Sequence, residues 1–423
     1  MTVYRFGWAG WCGPGSPVRS LGDGSGRCTR VLTAWILAQV AALTVAACAS
    51  TTRTTQNPTT PAPLTLSTAT SGPSQAALFY TKAGSLYISA PAGTPGRKLT
   101  TGPADTDPAP SPDLAHVAYI HKAKASDYGG ELWVLDLSPE HAPLAAPRRL
   151  VDPAALPPRY GGQGSGDART PIVHPRWSPT GNRVAFLEAG EGGGFLLVAD
   201  AASGAVVSPQ QRLFADDRYA WAPDGQHIAW TGGRSDVSPV DVNVLAVGAT
   251  STPVVKDSNA YSVAYDRGGQ AILFTNGNAS GEGYAGIPFA LRDGGVYSAT
   301  PGGAPTNPPA PPMSLFNGQG SYTDIAALFS GAIAFTEAST DGSSKTIQIL
   351  DPQLRLSGTT IPNVAADSPG PVWGPGDVVA YLDASSGKHL IVTDLSNRTP
   401  KQVDTGVDAF AWAPQHNSTS GPR

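Results

Sequence analysis

Short apolar runs, split by turn residues, recur along this chain from residue 76 almost to its end. The stretch YAWAPDGQHIAW (219–230) shows the grammar. An aromatic run ends at Trp221, Pro-Asp-Gly gives a tight turn, and His227 to Trp230 returns as a β-branched and aromatic strand. That pattern predicts a β-hairpin. The first arm and turn return as PAPSPD (108–113), PRWSPTGN (175–182), VAYDRGGQ (263–270), AALFSGA (326–332), PVWGPGD (371–377) and FAWAPQ (410–415). Second arms follow as HVAYI, RVAFL, HIAW, AILF, AIAF and VVAYL, and third strands as ELWVLDL, GFLLVAD, VNVLAV, GGVYSAT, TIQIL and HLIVTDL. A weaker fourth strand, such as RRLVD or QRLFA, completes most units.

Four short strands at a period of roughly 40–45 residues predict an all-β fold, a β-propeller. FAWAPQ lacks a second arm, while AALFYT (76–81), GSLYISAP (84–91) and GRKLTT (96–101) lack a first. The two ends therefore predict one shared blade, which closes the ring and leaves no open sheet edge. The count is seven blades, or six if the Pro-rich region after Thr300 interrupts one. Trp177, Trp221, Trp373 and Trp412 are expected to pack between neighbouring blades.

The first fifty residues read differently. Arg19, Arg27 and Arg30 precede residues 31–47, VLTAWILAQVAALTVAA, which carry no charge. A basic flank, an apolar core and small residues before Cys48 make a secretory signal. Val45-Ala46-Ala47-Cys48 resembles the lipobox of bacterial lipoproteins, which implies that Cys48 is lipidated and heads the mature chain. The alternative is an uncleaved anchor, since the run approaches spanning length. Residues 48–75 are Thr, Ser and Pro with almost no large apolar side chain, and are expected to be a disordered tether. Such a tether reaches roughly 90 Å stretched and roughly 30 Å as a coil. The domains expected are a signal (1–47), the lipidated Cys48 with its tether (48–75), the propeller (76–417) and a short tail (418–423).

Composition narrows the function. The net charge is −4; the first 47 residues carry +3, leaving −7 for the rest. That excludes the basic surface a nucleic-acid partner needs. Cys12 and Cys28 would leave with the signal, so the mature chain holds Cys48 alone and neither a disulfide nor a cysteine metal site.

The repeats resemble the TolB-like propeller family. Pro175-Arg176-Trp177-Ser178-Pro179-Thr180-Gly181 and Trp221-Ala222-Pro223-Asp224-Gly225 carry the resemblance, with Pro112-Asp113 and Trp373-Gly374-Pro375-Gly376-Asp377 as partial copies. It covers about residues 76–417 and implies the fold; propellers host binding proteins and enzymes alike.

No catalytic signature stands out. There is no HExxH pair, no G-x-S-x-G elbow and no phosphate loop in GGQGSG (161–166). His116, His227 and His389 fall at strand starts, where structural imidazoles are expected, and His121 and His174 fall near loop ends, where they could meet across a channel. Three longer segments, 121–131, 152–172 and 275–295, should emerge on one face and offer Tyr128, Arg159, Tyr160 and Tyr284 to a ligand. Two functions follow. One is a lipid-anchored, extracytoplasmic, monomeric propeller without cofactor or enzymatic activity, binding an envelope protein or a cell-wall glycan. The other is a channel-site enzyme such as a metal-assisted polysaccharide lyase or hydrolase. Three His or carboxylates at one channel mouth would favour the second.

Overall fold

The computed structural model describes residues 76–156, 171–190, 193–207, 214–233, 240–249, 251–256, 258, 260–276, 294–302, 312–318, 320–366, 370–385 and 387–414. Its twenty-eight strands form seven four-stranded antiparallel blades. Blade 1 joins the two ends of the chain: β28 (Val407–Trp412) lies inside β1 (Leu78–Lys82), β2 (Ser85–Ser89) and β3 (Arg97–Lys98). Blade 2 is β4 (Asp105–Pro110), β5 (His116–His121), β6 (Glu131–Asp136) and β7 (Arg148–Val151). Blade 3 is β8 (Ile172–Trp177), β9 (Arg183–Gly190), β10 (Gly193–Asp200) and β11 (Val206–Val207). Blade 4 is β12 (Phe214–Trp221), β13 (His227–Gly233), β14 (Asp241–Ala246) and β15 (Ser251–Val255). Blade 5 is β16 (Ala260–Tyr265), β17 (Ile272–Asn276), β18 (Gly295–Ala299) and β19 (Met313–Asn317). Blade 6 is β20 (Tyr322–Ala327), β21 (Ile333–Ala338), β22 (Ser344–Leu350) and β23 (Ile361–Ala365). Blade 7 is β24 (Val372–Trp373), β25 (Val378–Leu382), β26 (Leu390–Asp394) and β27 (Pro400–Asp404).

Seven blades, not six, are present, and the shared closing blade is as the sequence predicts. Leu78 pairs with Trp412 and Tyr80 with Phe410. The core is divided to match: seven apolar clusters, each filling the space between two successive blades. Trp177 and Trp412 are buried in two of them, and Trp221 and Trp373 pack half-buried against two more. Trp221 Nε1 donates to the Arg176 carbonyl at 3.0 Å, and Trp412 Nε1 to that of Val372 at 3.1 Å. Each indole thus ties its blade to the preceding one.

The turn glycines do what their positions predict. Gly181, Gly225 and Gly269 each donate a backbone bond of 3.0 Å to the residue three places earlier, and each takes a positive φ, 64–78°. These first-to-second and third-to-fourth strand turns form the lower face. The second-to-third loops and the crossings between blades form the upper face. One expected element differs. Of QRLFA, Phe214 and Ala215 open β12 rather than close blade 3, whose fourth strand is β11. The cause is the length of β10: it runs past β11, and its backbone at Gly194 and Phe195 pairs with Ala215 and Phe214. Blades 3 and 4 are thereby one continuous sheet of eight strands.

Candidate functional site

The seven inner strands enclose a central channel of about 690 Å³. At the residue before the tryptophan or its equivalent, six blades place Ala109, Ala220, Ala264, Ala326, Val372 and Ala411 on the channel wall. The seventh places Arg176 there, exposed to the channel. Its guanidinium donates to the Tyr219 carbonyl and lies 4.7 Å from the Tyr219 ring centre. A cation held on an aromatic face with small walls around it suits an anionic or polar chain.

Charge is concentrated where inner strands bulge. The registers of β4, β8 and β20 shift between Thr106 and Ala109, Val173 and Arg176, and Thr323 and Ala326. At those shifts Asp107, His174 and Asp324 take φ of 48–52° and reach the channel. A bulge re-aims a side chain that regular pleating would send elsewhere. His174 Nδ1 lies 3.6 Å from Asp107 Oδ2. Asp324 Oδ2 accepts from Lys345 Nζ at 2.9 Å and from the Thr323 and Thr336 hydroxyls at 2.7 Å. Burial works against the Asp324 charge, but Lys345 and the two hydroxyls outweigh it and hold the carboxyl below the usual aspartate range. Near the lower end, Arg267 donates to the Phe329 carbonyl at 3.0 Å and lies 3.6 Å from its ring centre.

Two of the three long segments meet on the upper face. Gly130 and Ile172 exchange backbone bonds of 3.0 and 2.9 Å, joining the 121–131 loop to the crossing that leads into β8. Beside them Glu131 accepts from Trp133 Nε1 at 2.8 Å and Arg149 at 2.9 Å, and Arg149 also pairs with Asp152. Tyr128 stands 72% exposed on this loop. Arg159, Tyr160 and Tyr284, like Cys48, lie outside the described residues.

His116, His227 and His389 are held by neighbouring carboxylates as structural groups. His116 bonds Asp136 at 2.7 Å, His227 bonds Asp224 at 2.6 Å, and His389 lies 3.3 Å from Asp383. His121 and His174 do not meet. The first bonds Asp105 at 2.7 Å and leans on Trp133, while the second lines the channel. Ser385, His389 and Asp383 have the composition of a hydrolytic triad, but Ser385 and Asp383 both approach His389 Nδ1. A triad needs them on opposite ring nitrogens, so this is a turn lattice. Among the described residues no group of three or more His, Cys, Asp or Glu is placed to hold a metal ion.

Sequence reasoning missed Arg176, Tyr261, Asp324 and Lys345 as lining groups. Arg176 alone carried a signal, as the charged residue at a position where the other copies have Ala or Val.

No family model and no curated protein matches this chain. Solved structures similar to it include TolB from Acinetobacter baumannii, at 15% identity and a TM-score of 0.47, covering 80% of this chain and 82% of that one. The tricorn protease matches at 11% identity and a TM-score of 0.53, over 79% of this chain; the match spans 34% of the protease chain. A functionally unknown protein from Desulfotomaculum acetoxidans matches at 12% identity and a TM-score of 0.50, over 81% of this chain and all of the other. At these identities the likeness extends to the β-propeller fold and no further.

Proposed function

We propose that this chain is a lipid-anchored, extracytoplasmic, non-enzymatic propeller that recognises an envelope protein or a cell-wall glycan at the upper mouth of its channel. One observation carries the reading. The channel is open, with Tyr261 toward its upper end, Asp107, His174 and Asp324 at the mid-strand bulges and Arg176 toward its lower end, and these charged groups are bonded to neighbours. Such a lining offers shape and fixed charge, which is what recognition needs. The convergence of two insertions at Gly130 and Ile172 supports the same mouth. The resemblance of the repeats to the TolB-like family supports a protein-interaction role, and the lipobox-like Val45 to Cys48 supports the anchor.

The test is capture of partners by the detergent-extracted protein after cross-linking. Replacement of 157–170 by a Gly-Ser bridge, which spares the core residue Leu156, should abolish capture and leave the fold intact, and Arg176→Ala, deeper in the channel, should weaken capture. Changes on the lower face at Thr180 and Asp224 should leave capture unchanged. Capture lost only with the lower-face changes would overturn the assignment of the mouth. For the anchor, Cys48→Ser should abolish metabolic fatty-acid labelling; unchanged labelling would refute lipidation.

A further inference from the structure

The large side chains exposed among the described residues are sorted by face. Tyr128 and Tyr261 lie on the upper side, on a second-to-third loop and at the start of an inner strand. The aliphatic ones all lie on the lower rim. Leu144 (66% exposed) is in the turn between β6 and β7, and Leu354 (39%) and Leu356 (50%) are in the turn between β22 and β23. Val207 (41%) sits opposite Val198 near the lower end of β10, and Met313 (58%) opposite Ser298 near the lower end of β18. Single exposed aliphatics are ordinary on any protein surface. Five on one rim, drawn from blades 2, 3, 5 and 6, with none on the other face among the described residues, is a polarity of the described surface.

Cations share that rim. Arg97 and Arg148 are exposed at the lower starts of β3 and β7, and Arg398 is exposed in the turn before β27. The acids of the same face, Glu140 and Asp351 on the rim among them, are engaged by neighbouring groups. Asp113 accepts from Ser111 and Ala115, Asp224 from Gln226 and His227, and Asp377 from the Ser330 amide. Aliphatic tips interspersed with guanidinium groups are the composition of a surface that dips into a headgroup layer.

The path of the chain selects the occupant. Leu78 pairs with Trp412, the last residue of β28, so the chain joins the ring at Ala76 on the lower face. Cys48 lies twenty-eight residues before that point. On the lipid-anchor reading, the acylated segment therefore joins the disc on this face.

We propose that the lower rim rests on the phospholipid surface, with Leu144, Val207, Met313, Leu354 and Leu356 as shallow insertion points. The upper mouth is then turned away from the membrane. The orientation rests on the lipid-anchor reading above, and one acyl signal binds membranes only marginally until a second contact is added. The rim supplies that second contact.

The experiment places an environment-sensitive fluorophore at Leu144→Cys, Leu354→Cys or Tyr128→Cys in the full chain. Each is reconstituted in phosphatidylcholine–phosphatidylglycerol vesicles with the unsubstituted chain as the blank. Quenching by lipids spin-labelled near the headgroup should be at least about twofold stronger at 144 and 354 than at 128, as interfacial burial of a few ångströms requires. Equal quenching at the three sites, or stronger quenching at 128, overturns the proposal. Fatty-acid labelling of the same preparations separates the two readings. With label present and the rim unquenched, the face is wrong and the anchor stands. With label absent and the rim quenched, the face stands and the anchor is wrong.

Discussion

Replacing Trp412 by Ala removes the side chain that joins the C-terminal strand to the rest of the ring. Trp412 is 6% exposed and packs with Leu78 and Tyr80 of blade 1 and with Val378 and Leu390 of blade 7. A buried indole covers roughly 200 Å², and at about 25 cal/mol per Å² that is about 5 kcal/mol as an upper bound. The lost bond to the Val372 carbonyl adds about 1 kcal/mol, and partial collapse of the cavity returns some of the total. The expected cost is about 3–5 kcal/mol. Trp412→Phe separates the two contributions: it keeps most of the ring area, loses the donor, and should cost about 1–2 kcal/mol. Far-UV circular dichroism across a urea titration reads both, with Tyr128→Ala as an exposed control within about 0.5 kcal/mol of the parent chain. If Trp412→Ala unfolds at the same midpoint as Tyr128→Ala, the indole does not clasp the ring. If Trp412→Phe is as damaging as the alanine variant, the hydrogen bond rather than the packing is decisive.

Asp324→Asn should destabilise the chain at neutral pH by about 1–2 kcal/mol, because it leaves the partly buried Lys345 ammonium without its carboxylate. The folded Asp324 carboxyl lies below its ordinary range despite its burial, because of Lys345 and the Thr336 and Thr323 hydroxyls. Its stabilisation is therefore present above about pH 4 and is lost as pH falls through the depressed folded value. Thermal midpoints of parent and variant should converge in acid, and a gap that widens there would refute the linkage. Gly84→Ala should cost more than about 2 kcal/mol, since φ there is +68° and a Cβ would run into the Pro103 carbonyl. A neutral result in chemical denaturation would show that the turn relaxes. Ending the chain after residue 405 removes β28 and bares the inner edge of β1. A truncated chain that melts like the intact one would refute ring closure.

The strand grammar was legible because alternation and Pro-x-Gly turns are local. PRWSPTGNRVAF states both arms and the turn that joins them, and the structure forms them from those residues. Ring closure was legible too, because FAWAPQ and AALFYT are complementary fragments of one unit. Pairing between blades was not. Phe214 and Ala215 read as strand wherever they pair, and their partner depends on how far β10 extends, which no residue of QRLFA encodes. The channel lining fell between these cases. Nothing in TDIAAL announces that Asp324 takes a positive φ or that Lys345, twenty-one residues on, meets it, because both depend on a bulge set by the neighbouring strand. Arg176 could be found by aligning the copies, since the anomaly is chemical rather than geometric.

The shared sheet of blades 3 and 4 gives the ring unequal compliance. Elsewhere successive blades touch mainly through side chains, with isolated backbone bonds at their loop ends such as Gly130–Ile172 and Val364–Asp383, and paired strands do not cross the joint. Between β10 and β12 a slide would have to break the Phe195–Phe214 and Gly194–Ala215 pairings. That joint is in effect welded. Arg176 and Tyr219, whose stacking shapes the channel wall, sit on the inner strands of these two blades. Any widening of the channel to admit a ligand therefore falls on the other joints, and the cation and its aromatic support move together as a fixed jaw.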